Sequence, residues 1–165
     1  MVTHRRFAPH EWRLYREVRL RALRDAPDAF GSTLARESAF SDEEWISRMS
    51  AGAASAWNLP MLAEDADCAV GLAWVRIDPE DPATATLYQV WVDPDYRRRG
   101  VGGMLLDAAI DWARTVGAQR LLLSVALGPG SAVEFYRRAG FSEVGAPTLL
   151  RADSELKQQA MRLGL

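Results

Sequence analysis

The stretch that decides how this chain is read is Tyr96-Arg97-Arg98-Arg99-Gly100-Val101-Gly102-Gly103. Ahead of it lies Leu87-Tyr88-Gln89-Val90-Trp91-Val92, an apolar, β-branched and aromatic run closed by Asp93-Pro94. Behind it, Met104 to Val116 carries apolar residues at Leu105, Ala109, Trp112 and Val116, the spacing of an amphipathic helix. The order is strand, turn, glycine loop, helix. Glycines at a helix N-terminus leave backbone N–H groups uncovered, and these groups with the helix dipole favour phosphate. Three arginines at the mouth add charge-assisted donors. The segment reads as a seat for the pyrophosphate of a nucleotide-like cofactor, formed by Arg97, Arg98, Arg99, Gly100, Val101, Gly102 and Gly103.

Three phosphate loops compete for this reading. A P-loop needs Gly-x-x-x-x-Gly-Lys-Ser/Thr, and neither a lysine nor a hydroxyl follows Gly103. A dinucleotide fingerprint needs Gly-x-Gly-x-x-Gly with an acid about 20 residues on, but Leu105 takes the third glycine position and no acid lies near Arg120. The third pattern, Arg/Gln-x-x-Gly-x-Gly/Ala, is met by Arg97, Gly100 and Gly102. A second block follows one strand later: Ser131-Ala132-Val133-Glu134-Phe135-Tyr136-Arg137-Arg138-Ala139-Gly140-Phe141, an aromatic-Tyr-x-x-x-Gly-Phe segment. Together they resemble the acyl-CoA loop and the helix-to-strand segment of the GNAT family of N-acetyltransferases. The resemblance is strong from Leu87 to Phe141 and looser over the rest of the chain.

Composition sets outer limits. With 165 residues, 48% of them hydrophobic, the chain is long enough for one domain with its own core, expected to span residues 1–165. A formal net charge of −2 gives no general attraction to nucleic acid or to an anionic membrane. No apolar run reaches the roughly 18 residues of a membrane span. Met1 to His10 lacks the apolar centre of a signal peptide, so the cytoplasm is the expected compartment. The single cysteine, Cys68, cannot form an internal disulfide and is expected to be a small buried hydrophobe. No metal is expected. All but one of the twenty basic residues are arginine, which lowers the functional weight of any one of them.

Along the chain, Val2 to Phe7 reads as a strand. His10 to Arg24 reads as a helix with Trp12, Tyr15, Val18, Ala22 and Leu23 on one face, with Arg19 beside Val18 and a Glu17/Arg21 pair one turn apart. Ala29 to Ser32 reads as a loop. Ser41-Asp42-Glu43-Glu44 is a capping box opening a helix that runs to about Ser50, followed by a linker of small residues, Ala51 to Trp57. Leu59 to Glu64 and Ala69 to Ile77 form a hairpin turning at Asp65-Ala66-Asp67. Arg120 to Leu127 is a continuous apolar strand, read as buried. A short helix over Ser131–Ala139 and closing strands Phe141–Val144 and Leu156–Leu163 complete the chain. The pattern alone specifies mixed α/β. The resemblance implies the GNAT fold, a mixed central sheet of about six to seven strands with about four helices.

The resemblance also implies chemistry: direct transfer of an acetyl group from the thioester of acetyl-CoA to a primary amine. A backbone N–H in the segment Val90, Trp91, Val92 would polarise the thioester oxygen. Tyr136 would stabilise the leaving thiolate. A phenol near pKa 10 facing a thiol near about 8.5 makes a strong hydrogen bond a more natural role than full proton transfer. Many relatives carry a glutamate base where this chain has Thr86, and an asparagine on the cofactor where it has Pro129; Ser131 is the substitute contact. Glu37, Glu43 and Glu44 are the carboxylates near the usual acceptor site, and their plain reading is capping and surface. Phe30, Trp45 and Trp74, with Trp91, are the aromatic candidates for the acceptor pocket. The acceptor is a small-molecule or peptide amine. Homodimers are common among such proteins. Two other classes stay open: a non-catalytic acyl-CoA-binding domain, and a partner-binding subunit using its aromatic helices.

Overall fold

Helix-forming periodicity becomes structure first at the N-terminal end, where α1 (Trp12–Asp25) follows a short strand, β1 (Thr3–Arg6). The buried face of α1 is Trp12, Tyr15, Val18, Arg19, Ala22 and Leu23, and Pro27 bars its continuation. Two further helices follow, α2 (Leu34–Ser38) and α3 (Asp42–Ala54). The capping box is present at α3: Ser41 Oγ accepts from the Glu44 N–H at 3.2 Å, and the Glu44 carboxylate accepts from the Ser41 N–H at 2.7 Å. α3 runs through most of the expected linker, and α2 follows the expected loop in a segment whose sequence pattern suggests no element. Five residues are too few to show a period. The sign of α2 is its cap, with Thr33 Oγ1 accepting from the Arg36 N–H at 3.2 Å.

The remaining elements are β2 (Asn58–Asp65), β3 (Cys68–Ile77), β4 (Thr84–Val92), a 3-10 turn at Pro94–Tyr96, α4 (Val101–Thr115), β5 (Arg120–Ala126), α5 (Val133–Arg138), β6 (Ser142–Leu149) and β7 (Lys157–Gly164). This computed structural model describes every residue, Met1–Leu165. The fold is mixed α/β: one seven-stranded sheet in the order β1-β2-β3-β4-β5-β7-β6, with five α-helices. Every pairing is antiparallel except β4 with β5. No helix is long and apolar enough to cross a membrane.

Alternation across the sheet builds two cores. Met61 and Ala63 of β2 and Ala73, Val75 and Ile77 of β3 pack with Leu105, Leu106 and Ala109 of α4. The alternate residues Leu62, Leu72 and Trp74 pack with Tyr15, Val18 and Leu23 of α1 and Trp45 and Met49 of α3. Each fully buried aliphatic or aromatic side chain contributes about 1.5–3 kcal/mol. Phe7, Trp45 and Trp74 meet the Tyr15 ring edge-on, with centroids 5.5–5.7 Å away.

Three expectations are corrected here. Glu17 and Arg21 do not pair; Arg21 instead reaches the Asp93 carboxylate at 2.5 Å and the Ala69 carbonyl at 3.1 Å. Cys68 is exposed, because it leaves a tight turn whose residues Ala66 and Asp67 both have left-handed φ, 47° and 68°. And β5 is not buried throughout: Leu121 and Leu123 are buried while Ser124 is exposed, because one face of β5 lines a cleft.

Candidate functional site

The cleft forms where the sheet comes apart. β4 and β5 pair only over Thr84–Thr86 and Arg120–Leu122, and beyond that point the strands diverge around a cavity of about 900 Å³. Its walls are Leu87–Val90 of β4, Leu122–Ala126 of β5, Tyr136 of α5 and the loop around Phe30.

A bulge in β4 sets the divergence. The register with β3 shifts between Leu72 and Trp74, leaving Gln89 and Val90 between the paired residues Tyr88 and Trp91. Gln89 adopts left-handed φ, 57°, an uncommon conformation for a residue with a side chain. Its side-chain oxygen accepts from the Tyr15 hydroxyl at 2.7 Å. Tyr15 is fully buried, which pushes its pKa up and keeps it a donor. The bulge is therefore pinned from inside the core. Past it, Trp91 lies opposite Leu72 and the Asp93 N–H donates to the Val70 carbonyl at 2.8 Å. By alternation, the N–H and C=O of Val92 point away from β3, to the splayed side.

The glycine loop sits at the end of β4. Arg97 Nε donates to the Val92 carbonyl at 2.9 Å, and its guanidinium also pairs with Asp25 at the end of α1. Asp25 Oδ2 further accepts from Trp91 Nε1 at 2.8 Å. Arg97 is thus a brace joining loop, strand and helix, while Arg98 and Arg99 are exposed. Gly100 is the N-cap of α4, with φ 82°, a conformation glycine adopts without strain. The first N–H of α4 with a partner is that of Met104, on the Gly100 carbonyl at 2.9 Å; those from Arg98 to Gly103 have no acceptor in the protein. They form a row of free donors at a helix N-terminus, the arrangement that receives anions. A Cβ on Gly102 would meet only Phe135 at 3.7 Å and Val92 at 3.9 Å, and one on Gly103 would meet nothing within 4 Å. The loop therefore has open space in front of it.

Tyr136 is 6% exposed, its ring edge-on to Phe135 at 5.0 Å and Phe141 at 5.6 Å. It lines the cleft and its hydroxyl has no hydrogen-bond partner in the protein. Burial alone pushes its pKa up to about 12. Ser131 also lines the cleft, but its hydroxyl donates to the Ala126 carbonyl at 2.8 Å and accepts from the Val133 N–H at 3.3 Å, which makes it the hinge pin of the turn into α5. Thr86 is exposed on the cleft wall.

The candidate carboxylates and aromatics part company. Glu44 closes the capping box and Glu43 is exposed, as expected. Glu37 is not a surface residue: it is 2% exposed and bonded bidentately by Arg19 at 2.9 and 3.0 Å. Burial pushes its pKa upward, but the hydrogen bonds and charge of Arg19 more than offset this and hold the carboxyl below its usual value. Phe30 lines the cleft. Trp45 and Trp74 do not; at 1% and 4% exposed they belong to the core behind the β4 wall, where Trp74 Nε1 donates to Asn58 at 2.9 Å. Trp91 turns its ring to α1. Sequence reasoning missed Gln89, Tyr15, Asp25 and the Arg19–Glu37 pair, since each acts through a partner distant in the chain; only Arg19, a charge on the apolar face of α1, left a visible sign.

Relatives carry the same architecture. A family model described as the acetyltransferase (GNAT) family matches residues 17–141. A ribosomal protein bS18-alanine N-acetyltransferase of Salmonella typhimurium is 38% identical over 86 residues, 52% of this chain and 55% of that protein; the chain thus spans about half the length of this curated relative. An acetyltransferase of the GNAT family from Streptococcus pneumoniae superimposes with a TM-score of 0.82 at 21% identity, over 100% of this chain and 99% of that one. A Salmonella typhimurium protein described as an acetyltransferase, solved with its cofactor acetyl-CoA, gives a TM-score of 0.80 at 18% identity, over 100% and 94% of the two chains. The glycine loop, the splayed strands and the tyrosine of α5 all lie within the matched residues, and this chain belongs to the GNAT acetyltransferase family.

Proposed function

We propose that the protein transfers the acetyl group of acetyl-CoA to a primary amine. The observation that carries this reading is a cleft that joins the splayed edge of β4 to the unpartnered Tyr136 hydroxyl, with a row of free N–H groups at the N-terminus of α4 just past the end of β4. Acetyl-CoA supplies an activated thioester when bound. The donors from Arg98 to Gly103, with the exposed Arg98 and Arg99, hold its pyrophosphate. Arg97 fixes the loop to β4 instead of spending its charge on the ligand. The N–H groups of Val90 and Val92 are the donors for the acyl and pantetheine groups, and one preorganised donor at a developing oxyanion is worth about 3 kcal/mol.

Tyr136 keeps its proton well above neutral pH and donates a hydrogen bond to the departing sulfur. No free glutamate takes the proton shed by the amine. Of the two carboxylates lining the cleft, Asp25 is committed to Trp91 and Arg97, whereas Asp28 is exposed and makes no ion pair. Asp28 with solvent takes that proton. The test is thiol release from acetyl-CoA across a panel of amino acids, polyamines, aminoglycosides and short peptides. Amine-dependent release supports the transferase. No release, with acetyl-CoA still raising Tm, replaces it by a binding-only domain, and no Tm shift at all removes the cofactor assignment.

A further inference from the structure

Beside the cleft lies a second cavity of about 420 Å³, lined by Arg19, Arg36, Arg48, Glu37, Tyr88 and Gln89 among others. It shares Phe30, Gly31, Tyr88 and Gln89 with the cleft, so the two meet at the bulge of β4, next to Val90. From this we infer that the cavity binds a carboxylate carried by the acceptor, and that the acceptor is a small amino acid-like amine. The inference rests on the transfer reading given above.

Charge is the first argument. Three guanidinium groups line the cavity against one carboxylate. Both oxygens of Glu37 are taken by Arg19, and Arg48 reaches one of them only at 3.5 Å. Arg36 is exposed and makes no ion pair, and Arg48 keeps a third of its side chain exposed, stacked over Phe40. The donors of Arg36 and most of those of Arg48 therefore remain free where the cavity opens.

Burial is the second argument. Arg19 is 3% exposed, and its Nη1 is buried without any hydrogen-bond partner. It is the one buried side-chain nitrogen or oxygen in the molecule left in that state. A desolvated guanidinium with an unpaired N–H is costly and calls for a partner beyond the protein, and the Phe30 ring 4.8 Å away offers only a weak one. The fixed Arg19 charge holds a positive field in the cavity, while Arg48 and Arg36 supply donors of a geometry that matches a carboxylate. The same field works on the amine: nearby positive charge disfavours an ammonium and favours the neutral nucleophile. A carboxylate seated here places an α-amino group toward Gln89 and Val90. A peptide N-terminus offers an amide in place of that carboxylate, and the cavity is of small-molecule size.

Matched pairs test this. Thiol release from acetyl-CoA is measured for a range of L-amino acids and for the C-terminal amide of each, with a short peptide of the same first residue and a polyamine beside them. The acid is expected to exceed its amide in kcat/KM by about 10- to 100-fold, the range of a charge-assisted hydrogen bond. Arg48→Gln and the exposed Arg36→Gln are each expected to erode that ratio, mainly through KM for the acid, with the KM of acetyl-CoA unmoved in both and Tm unmoved in Arg36→Gln, which loses no ion pair. A purely structural cluster would lower Tm and leave the ratio alone. Amide, peptide or polyamine turned over as well as the acid overturns the subsite, as does a ratio unchanged in both variants. If no amine releases thiol, the transfer reading falls separately. The subsite is then judged by Tm of the acetyl-CoA-loaded protein: a rise with amino acids and not with amides supports it, and no difference between them overturns it.

Discussion

Replacing Tyr136 by phenylalanine removes one oxygen from the cleft and nothing from the fold. The hydroxyl has no partner in the protein, and the ring contacts with Phe135 and Phe141 survive the change. Tm should therefore not fall, since no internal hydrogen bond is lost. Catalysis should. Burial lifts the Tyr136 pKa to about 12, against about 8.5 for a thiol, so full proton transfer to the departing sulfur is uphill by about 3.5 pH units, or about 5 kcal/mol. What the hydroxyl offers instead is a hydrogen bond to developing charge, worth about 1.5–3 kcal/mol. At about 1.36 kcal/mol per decade this is about 10- to 150-fold in kcat. The assay is steady-state thiol release at saturating amine, with the KM of acetyl-CoA and Tm measured alongside. A kcat within about twofold of the parent, with Tm unchanged, refutes the role of Tyr136. A fall in kcat that tracks a fall in Tm refutes the reasoning that the hydroxyl is free of structural work.

Gly102→Asp should fold, because its Cβ meets only ordinary contacts, yet lose acetyl-CoA binding by placing a negative charge among the anion donors; a normal acetyl-CoA-induced Tm rise would remove the loop from the cofactor site. The raised pKa of Tyr136 keeps its proton on through the alkaline range, so kcat/KM should climb with pH as the amine deprotonates and then level off. A descending limb between about pH 8 and 10 would point to a different acid. Gly52→Ala drives a methyl into the indole of Trp74, which is held by Asn58 and stacked on Tyr88. With the added Cβ well inside van der Waals distance of a ring carbon, the overpacking falls at the upper end of the usual range, about 2–3 kcal/mol; less about 1 kcal/mol of helix propensity gained, this leaves a loss of about 1–2 kcal/mol and a Tm lower by about 2–8 °C. An unchanged Tm would mean that Trp74 yields easily.

What could be read from the sequence was whatever depends on neighbours in the chain. The glycine loop, the capping box at Ser41, the amphipathic faces of α1 and α4 and the place of Tyr136 on a short helix all have local causes. The bulge has none. Gln89 is not a residue that advertises left-handed φ, and it adopts it because a buried hydroxyl 74 residues away holds its side chain. Glu37 looked like a surface acid because its partner sits on another helix. The chemistry of Trp45 and Trp74 alone points to the pocket, but packing places them behind its wall. The apolar neighbours of Cys68 suggest burial, whereas the tight turn before it decides its exposure.

Holding the cleft open is itself a physical problem. Parallel neighbours with edges this close would normally zip together, since each unpaired peptide group shielded from water carries a cost. Two constraints prevent it. β5 is fully laddered to β7, from Arg120–Gly164 to Ala126–Gln158, so it cannot swing toward β4 without breaking that ladder. β4 is tied to β3 on one side and bent at Gln89, and the core behind it is anchored through Tyr15 to both α1 and α3. Beyond Thr86 and Leu122 the facing edges of β4 and β5 are thus left unpaired along the cleft. On the proposed reading, a ligand arm bearing amides of its own, as the pantetheine of acetyl-CoA does, would satisfy both edges, with the free N–H groups of α4 holding the pyrophosphate and Tyr136 facing the thioester. The energy left unsatisfied along those edges by folding is the energy available for holding the acyl donor in register with the amine.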